Sequence, residues 1–388
     1  MVTKLSYFLL VLLIVLLPSQ LSFHFWPAWS SISGLRIDYL SPTIFVTDLL
    51  MLAVVLINIH KLYLMYRLPT ALEKLILVFV VLNIIFSSIP LFSLYKYLKL
   101  LLYISFFVYL KNQKKIHLAS LLEKYFPLTL LWIALLALAQ FLLKKSLGGP
   151  LWILGERPLS LDMPLVAKVS LNNLGLFLRP YATLPHPNAL AGFLTLGVLI
   201  QLKYFPLKKN TQLSTALSVI AALLAQSAGT IVALIISSLF AYFKKIKVRL
   251  IVLSILTLSL LVVAVHKPAA TVTDRLHLLN KGFSEIAKHP IFGVGLGSFP
   301  VTSANTNTAS LLDHQPVHNL PVLLASEIGI PLFLLLVVYL LPKITSDPLL
   351  VFVFTSSLFD HYWLTSHQNF LLLGFYILIT KLKSPTHE

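Results

Sequence analysis

The chain has 388 residues, of which 58% are hydrophobic and only 11% charged, and its formal net charge is +17. A water-soluble fold of this length needs far more polar surface, so the composition excludes that class and predicts a polytopic membrane protein. The basic residues stand in short clusters between apolar runs, where membrane topology accounts for them without a nucleic-acid partner. The absence of cysteine excludes disulfides, thiolate metal sites and a cysteine nucleophile.

Apolar runs long enough to cross about 30 Å of hydrocarbon predict about twelve transmembrane helices in a single all-α membrane domain, residues 1–388. The predicted spans lie near 5–22, 43–60, 71–91, 95–111, 124–143, 187–203, 212–227, 229–244, 249–266, 318–341, 347–360 and 368–382. Every second connection is basic, and the short connections between them contain almost no Lys or Arg. The positive-inside rule therefore predicts that both termini are cytoplasmic. The first run, which follows Lys4, lacks a small-residue cleavage site and is expected to be a retained anchor.

Two predicted extracytoplasmic connections, residues 144–186 and 267–317, are unusually long for loops that are neither functional nor disordered. Alternating apolar residues in the first predict a short hairpin on the membrane surface. The second is predicted to contain a helix over 273–289, with Thr273 as N-cap and Asp274 in its first turn. The apolar face of this helix would lie in the membrane interface and consists of Leu276, Leu279, Phe283 and Ile286.

Two histidines stand at the predicted starts of helices on the extracytoplasmic side. His186 lies between two prolines, so backbone stiffness fixes its position, and Asn188 is expected to cap the helix that follows. His318 precedes Asn319, which is expected to cap a helix with Pro321 in its first turn. Backbone N–H groups and helix dipoles at such starts favour anions. The two helix starts therefore predict an anion site, to which His186, Asn188 and Asn319 would contribute.

The same side carries two arginines, Arg179 and Arg275, whose planar donor forks suit a lipid phosphate or pyrophosphate. His318 is suited to take a proton from a sugar hydroxyl, a role that typically contributes roughly 10²–10⁴-fold to a rate. Lys281 adds a positive charge to the predicted interfacial helix and is a further candidate for substrate binding. The alternatives are headgroup anchoring for the arginines, a structural turn role for His186 and helix capping at His318.

Glu327 lies about nine residues into the predicted span 318–341. A carboxylate at that depth costs on the order of 2–3 kcal/mol unless it is paired or neutral, so we expect it to face the bundle interior in a structural hydrogen-bonding role. No metal-ligand spacing is present, and the adjacent pair Asp360-His361 is too little to indicate a metal site. We therefore expect neither a metal nor another cofactor.

Three segments between residues 178 and 335 resemble one known family. They read LRPYATLPHPNALAGFL, RLHLLNKGFSEIAKHPIFGVGLGSF and HNLPVLLASEIGIPLFLL, and they resemble motifs of the O-antigen ligase and polymerase superfamily in order and spacing. The resemblance implies a metal-independent integral-membrane glycosyltransferase of the bacterial cytoplasmic membrane. Such an enzyme moves a glycan from undecaprenyl pyrophosphate to an acceptor hydroxyl on the outer face. The resemblance also implies that Arg179 and Arg275 bind the pyrophosphate and that His318 is the essential histidine.

The sequence departs from the family pattern at two places. Many members carry an Arg-containing triplet such as Ser-Arg-Gly at the outer end of a middle span, where this chain has 227–229, Ser-Ala-Gly. Either Arg157 or Lys168 replaces that charge, or the acceptor differs. Ala182 also stands where a glycine is common. Both departures concern the substrate rather than the fold.

The motifs leave several activities open. The acceptor could be lipid A core in a ligase, a growing glycan in a polymerase, or a protein hydroxyl. A lipid or solute transporter is a second class, but it needs polar residues through the bilayer midplane, and the spans hold few beyond Glu327, Gln140 and Gln201. A hydrolase of the same lipid carrier, with water as acceptor, is a third.

Overall fold

The structure is a computed structural model that describes residues 4–64, 68–112, 115–171, 175–206, 208–242, 269–303, 314–344 and 346–383. The described chain is mainly helical. Its helices are α1 (Lys4–Val15), α2 (Val46–Ile57), α3 (Ile59–Leu64), α4 (Ala71–Ile85), α5 (Pro90–Lys111), α6 (Lys115–Leu143), α7 (Pro187–Tyr204), α8 (Lys209–Leu224), α9 (Ala228–Tyr242), α10 (Ala269–Lys288), α11 (Phe299–Thr302), α12 (Leu320–Ile328), α13 (Ile330–Ile344), α14 (Pro348–Ser357), α15 (Tyr362–Thr365) and α16 (His367–Lys383).

Short strands occur only in the connections of the described chain, so the all-α expectation holds for the helical core alone. They are β1 (Ser22–His24), β2 (Ser31–Ile32), β3 (Leu35–Arg36), β4 (Thr43–Phe45), β5 (Lys168–Leu171) and β6 (Gly175–Leu178). Each pairs with one antiparallel partner, in the orders β1-β4, β2-β3 and β5-β6. The β5-β6 pair is the short hairpin that the sequence predicts within 144–186.

Two helices of the described chain are long and apolar enough to cross a membrane on length and composition alone, Pro90–Lys111 and Leu118–Leu143. Five apolar helices are shorter: Lys4–Val15, Val46–Ile57, Ala228–Tyr242, Ile330–Pro342 and Pro348–Ser357. The predicted span 249–266 lies outside the described residues. The total of twelve spans therefore stays a prediction.

The predicted continuous span 318–341 is wrong, because the helix breaks at Gly329. This residue has φ +77°, a conformation that ends α12 at Ile328 and lets α13 begin at Ile330. The backbone of Ile291 lies where a side chain at Gly329 would have to be placed. Glu327 consequently sits in the last turn of a short helix and not in the middle of a span.

The amphipathic helix of the second long loop is present, but it starts earlier than the sequence predicts. Helix α10 begins at Ala269, so Thr273 and Asp274 lie inside it and Thr273 is not its N-cap. Alanines are strong helix formers, and Ala269-Ala270 extend the helix by about a turn. Gly282 allows close packing on α12, because a Cβ there would lie 2.7 Å from Val322.

A glycine-rich loop, residues 289–298, fixes α10 against α12. The Val294 N–H donates to the Ser326 carbonyl and the Gly295 N–H donates to the Glu327 carbonyl, each at 2.9 Å. Gly295 has φ +98°, and the Ser87 side chain fills the space that a Cβ would need. The loop thereby holds the end of α12 beside α10.

The large core cluster joins α1, α2, α5, α6, α7, α8, α14 and α16, with Phe106, Phe193 and Phe375 among its fully buried side chains. Helix α8 packs along α6 and α7, and α9 packs along α14. Because α9 and α14 are paired, the start of α9 lies next to the connection that leaves the end of α14.

Candidate active site

A cavity of about 390 Å³ lies where the starts of α7, α9 and α12 face α10 and the connection after α14. We call residues 358–361, which join α14 to α15, the α14–α15 link. The polar lining includes Arg179, His186, Asn188, Gln226, Ser227, Thr230, Arg275, His318, Asn319 and Asp360. The apolar lining includes Val232, Leu276, Leu279, Val317, Leu358 and Phe359. The fold therefore brings together the arginines and histidines that the sequence singles out.

Arg179 follows strand β6 and crosses to the turn between α8 and α9. Its Nε and Nη2 donate to the carbonyl of Ala225 at 3.0 and 2.6 Å. Its Nη2 also donates to Asn188 Oδ1 at 2.9 Å. Within the described chain, Nη1 makes no hydrogen bond. The guanidinium thus closes the turn and keeps a donor group for a ligand.

The segment between Arg179 and α7 is held in place by α6. The side-chain oxygen of Gln140 accepts hydrogen bonds from the N–H groups of Tyr181 and Ala182, at 3.1 and 2.7 Å. Ala182 has φ +49°, the region that favours glycine, which explains why a glycine is common at this place. Arg157 donates to the Pro185 carbonyl at 2.7 Å and does not line the cavity.

The predicted capping role of Asn188 is wrong. Helix α7 starts at Pro187, and its N-cap is His186, whose Nδ1 accepts a hydrogen bond from the Asn188 N–H at 3.1 Å. Proline suits the first helical position because its missing N–H would have had no partner there. The Asn188 side chain is therefore available for another contact, and its Nδ2 donates to Asp360 Oδ2 at 2.9 Å.

Asp360 lies beyond the end of α14 and faces His318. The distance from its Oδ1 to His318 Nδ1 is 3.5 Å, within ion-pair range. Burial alone would raise the pKa of the Asp360 carboxyl, but its interactions with His318, and then with His361 and His186, hold that pKa well below its usual range. Asp360 is therefore a carboxylate at physiological pH, fixed beside an imidazole.

The α14–α15 link is also held by Arg275 of α10 and by Asn319 at the start of α12. Arg275 of α10 donates from Nη1 to the Phe359 carbonyl at 3.2 Å. Asn319 donates from Nδ2 to the Leu358 carbonyl at 3.2 Å, and its Oδ1 accepts from the Val322 N–H. Asn319 is thus the N-cap of α12, as the sequence predicts. These contacts place Asp360 at the cavity wall.

The segment that replaces the family's Arg-containing triplet lines the same cavity. Ser227, Ala228 and Gly229 form the start of α9, whose first N–H groups are not used by the helix itself. A Cβ at Gly229 would lie 2.8 Å from the Phe359 Cβ, so a small residue is needed where α9 meets the link. Neither Arg157 nor Lys168 lines the cavity, and neither stands in for the missing arginine there.

His318, Asp360 and His361, which we call the Asp–His cluster, place potential metal ligands within 4.8 Å of one another. The sequence spacing did not indicate this, because the cluster forms only when α12 packs beside the α14–α15 link. Burial lowers the pKa of His361 to about 3, so its ring is neutral at physiological pH. Both Asp360 oxygens accept hydrogen bonds, Oδ1 from the His361 N–H at 2.8 Å and Oδ2 from Asn188. With two guanidinium groups in the cavity, this arrangement favours an anion over a metal ion.

Two predicted site residues do not line the cavity. Lys281 lies on α10 six residues after Arg275, which turns it toward a different side of the helix. The carboxylate of Glu327 lies near the N–H groups of Gly297 and Phe299, at the glycine-rich loop. Sequence reasoning in turn missed Asp360 and His361 as site residues. The sequence offered one signal for them, because Asp360 and His361 are adjacent polar residues at the end of an apolar run.

A comparison with protein families gives one match that bears on this site. Residues 213–337 match the family model described as O-Antigen ligase. This match supports the O-antigen ligase superfamily for the chain. The matched region contains Arg275, His318, Asn319 and the start of α9, whereas Arg179 and Asp360 lie outside it.

A comparison with curated proteins finds no match. The match to the O-antigen ligase family supports a membrane enzyme of the glycosyltransferase type, with ligase-type or polymerase-type function. Members act in general on lipid-linked glycans and acceptors. The cavity of this chain combines two guanidinium groups with a carboxylate-paired imidazole.

Proposed function

We propose that the chain transfers a glycan from an undecaprenyl-pyrophosphate carrier to an acceptor hydroxyl on the extracytoplasmic face of the membrane. The observation that carries the proposal is a continuous polar line across the cavity. It runs from Arg179 through Asn188 to Asp360, which lies 3.5 Å from His318. This line joins Arg179, which would bind the diphosphate, to His318, which would be the base. Transfer from a lipid diphosphate requires both groups.

The diphosphate of the carrier would lie between the two arginines. Arg275 makes one hydrogen bond within the described chain, through Nη1, which leaves most of its donors for phosphate oxygens. The starts of α7 and α9 also face the cavity, and helix starts favour negative charge. These groups would neutralise the charge that builds up on the diphosphate as it leaves, which is where electrostatic catalysis acts.

The apolar part of the cavity lining suits a carrier that is a lipid. Val232 on α9 and Leu276 and Leu279 on α10 lie at the same cavity as the arginines. Leu276 is 55% exposed, so the apolar lining continues onto the outer surface of α10. A ligand with a charged head and a prenyl tail matches this division between polar and apolar lining.

His318 would act as the general base. Its imidazole takes the proton of the acceptor hydroxyl while the acceptor oxygen bonds to the anomeric carbon of the glycan. The bond from that carbon to the diphosphate oxygen breaks, and the electron pair leaves with undecaprenyl pyrophosphate. Asp360 orients the imidazole and stabilises the imidazolium, as a carboxylate does in other base–carboxylate pairs.

Polymerase activity remains the nearest alternative, since it uses the same donor and differs only in the acceptor. Transport is less well supported. Among the polar side chains of the predicted spans, Gln140 holds the turn before α7, and Gln201 donates to Thr211, Ser214 and Thr215. In the part of the chain that the structure describes, these groups serve local contacts and do not outline a path through the bundle.

The test is glycan transfer by variants in a strain that lacks the chain. His318→Ala and Arg275→Ala should each abolish the glycan-bearing product while expression stays normal, because they remove the base and the diphosphate clamp. His289→Ala is the matched control, since His289 is exposed and does not line the cavity. Product at wild-type levels in both cavity variants would refute the proposal. Release of free glycan without acceptor would instead indicate a hydrolase.

A further inference from the structure

We propose that the segment Ser22–Phe45, between α1 and α2, carries the binding surface for the sugar ring of the acceptor. The proposal rests on the transfer function proposed above. We call Trp26 and Tyr39, with the neighbouring Arg36 and Asp38, the aromatic platform. All four side chains are exposed, and the segment lies outside the family match.

The platform adjoins the reaction centre from a side that the cavity does not use. The Tyr39 ring packs edge-on against His361, with ring centroids 5.6 Å apart. His361 in turn packs against His318 at 5.1 Å. Trp26 and Tyr39 do not line the cavity, which the donor would fill. An acceptor resting on the platform would therefore approach the His361 side of the site without displacing the donor.

The chemistry of the platform matches a sugar ring. One face of a pyranose presents C–H groups that pack on an aromatic ring, and its hydroxyls bond to charged side chains at the ring edge. Trp26 is 36% exposed and its ring stacks on His24 with centroids 5.6 Å apart. The Arg36 guanidinium lies over the Trp26 ring, 5.3 Å from its centroid, and offers donors to the hydroxyls of a sugar beside it. His24 Nδ1 lies 3.2 Å from the hydroxyl of Ser41, two residues after Tyr39, which holds the His24–Trp26 pair beside the segment that carries Tyr39.

The platform is rigid, as a binding surface must be to limit the entropy lost on binding. Ile37 and Leu40 are buried in a small cluster with Ile89 and Phe92. The side-chain hydroxyl of Tyr95 donates to the Thr43 carbonyl at 2.7 Å. The exposed residues thus project from a segment whose neighbours are fixed to α5.

The same segment contains an internal control, because successive side chains of a strand point to opposite faces. Phe23 is 65% exposed and pairs with Ile44 on the face opposite His24. On this second face the Phe23 ring packs edge-on against Phe25, with ring centroids 4.9 Å apart, an aromatic pair that suits a membrane interface. Phe23→Ala therefore removes an exposed aromatic ring of the same segment without touching the platform.

The experiment uses purified protein in liposomes with two fractions from a strain that lacks the chain: the extracted lipid-linked donor, and the separately purified lipid A core glycolipid, which is the acceptor fraction. Transfer rates are measured while one fraction is varied at saturating amounts of the other. We expect Trp26→Ala to raise the apparent KM for the acceptor fraction by about two- to tenfold, the effect of losing one aromatic stacking contact. The KM for the donor and the values for Phe23→Ala should match the wild type.

Arg36→Ala and Asp38→Ala provide exposed substitutions that should shift the acceptor KM even if Trp26→Ala fails to fold, and Trp26→Phe should restore most of the binding. Unchanged acceptor KM values in these variants, with active wild type, overturn the platform and leave the transferase proposal standing. An equal rise in donor and acceptor KM also overturns it. No transfer by the wild type would refute the transferase function itself.

Discussion

Substitution of Asp360 by asparagine tests the central pair most directly, because it removes the charge and keeps the shape. The carboxylate lies 3.5 Å from the His318 ring. At an effective dielectric constant near 20, a full charge pair at that distance interacts by about 5 kcal/mol, an upper bound for what the imidazolium gains as it forms. Since 1.4 kcal/mol corresponds to tenfold, we expect kcat to fall by about 10²–10⁴-fold.

The asparagine also disturbs the polar line that holds the pair. In the wild type, Asp360 Oδ2 accepts from Asn188 Nδ2, while Asn188 Oδ1 accepts from Arg179. An amide nitrogen at Oδ2 would place two donors face to face, and Asn188 cannot turn over without losing Arg179. The KM for the donor should therefore rise in addition to the fall in kcat.

The assay is the liposome transfer assay, in which the product is followed by the mass of the glycan-bearing acceptor, together with a melting curve. Asp162→Asn is the control, because Asp162 is an exposed carboxylate in the connection that leads to Arg179 and does not line the cavity. If Asp360→Asn keeps more than about a tenth of wild-type kcat, the carboxylate does not assist the imidazole and the reasoning is wrong.

Three further predictions use the same assay. Arg275→Lys should retain partial activity with a raised donor KM, because an ammonium keeps the charge and loses the fork; full activity would mean that Arg275 does not contact phosphate. Gly229→Ala should lower kcat and lower the free energy of unfolding by about 1–3 kcal/mol, because the new Cβ would clash with Phe359. Wild-type values of both would show that the α14–α15 link moves aside without cost. Treatment with EDTA should leave transfer unchanged, because guanidinium groups supply the charge; a loss that Mg²⁺ or Zn²⁺ restores would show that the Asp–His cluster holds a metal ion.

The sequence predicted that two arginines and a histidine lie together, because this grouping follows from membrane topology and does not require knowledge of how the helices pack. Arg179, Arg275 and His318 all fall in connections on one predicted side of the membrane, so the alternation of basic loops is enough to group them. Asn319 was also predicted correctly as a cap, since an asparagine two residues before a proline is a local signal for a helix start. Local chemistry thus accounts for the cap, and the predicted topology accounts for the grouping of the three residues at one cavity; their roles in the reaction stay a prediction.

The remaining features depend on contacts between distant segments. Asp360 became recognisable only when α14 packed along α9 and brought the α14–α15 link beside His318. The sequence predicted Asn188 as a cap because asparagine is a good capping residue. In the structure His186 is the N-cap instead, and its Nδ1 accepts a hydrogen bond from the Asn188 N–H. The break at Gly329 had a local signal in the Gly-Ile-Pro sequence, but the apolar run on both sides concealed it.

The α14–α15 link is held by weak contacts from several helices, which makes the site sensitive to substitutions that do not unfold the protein. Its position depends on Arg275 of α10, Asn319 of α12, Asn188 of α7 and close packing at Gly229 of α9. Each of these contacts is a single hydrogen bond or a small van der Waals surface, worth about 1 kcal/mol, whereas the helices themselves rest on the large apolar core. A shift of about 1 Å in a catalytic group can cost 10²-fold in rate. Substitutions that loosen the packing of any one of these helices at the cavity should therefore abolish transfer well before they unfold the protein.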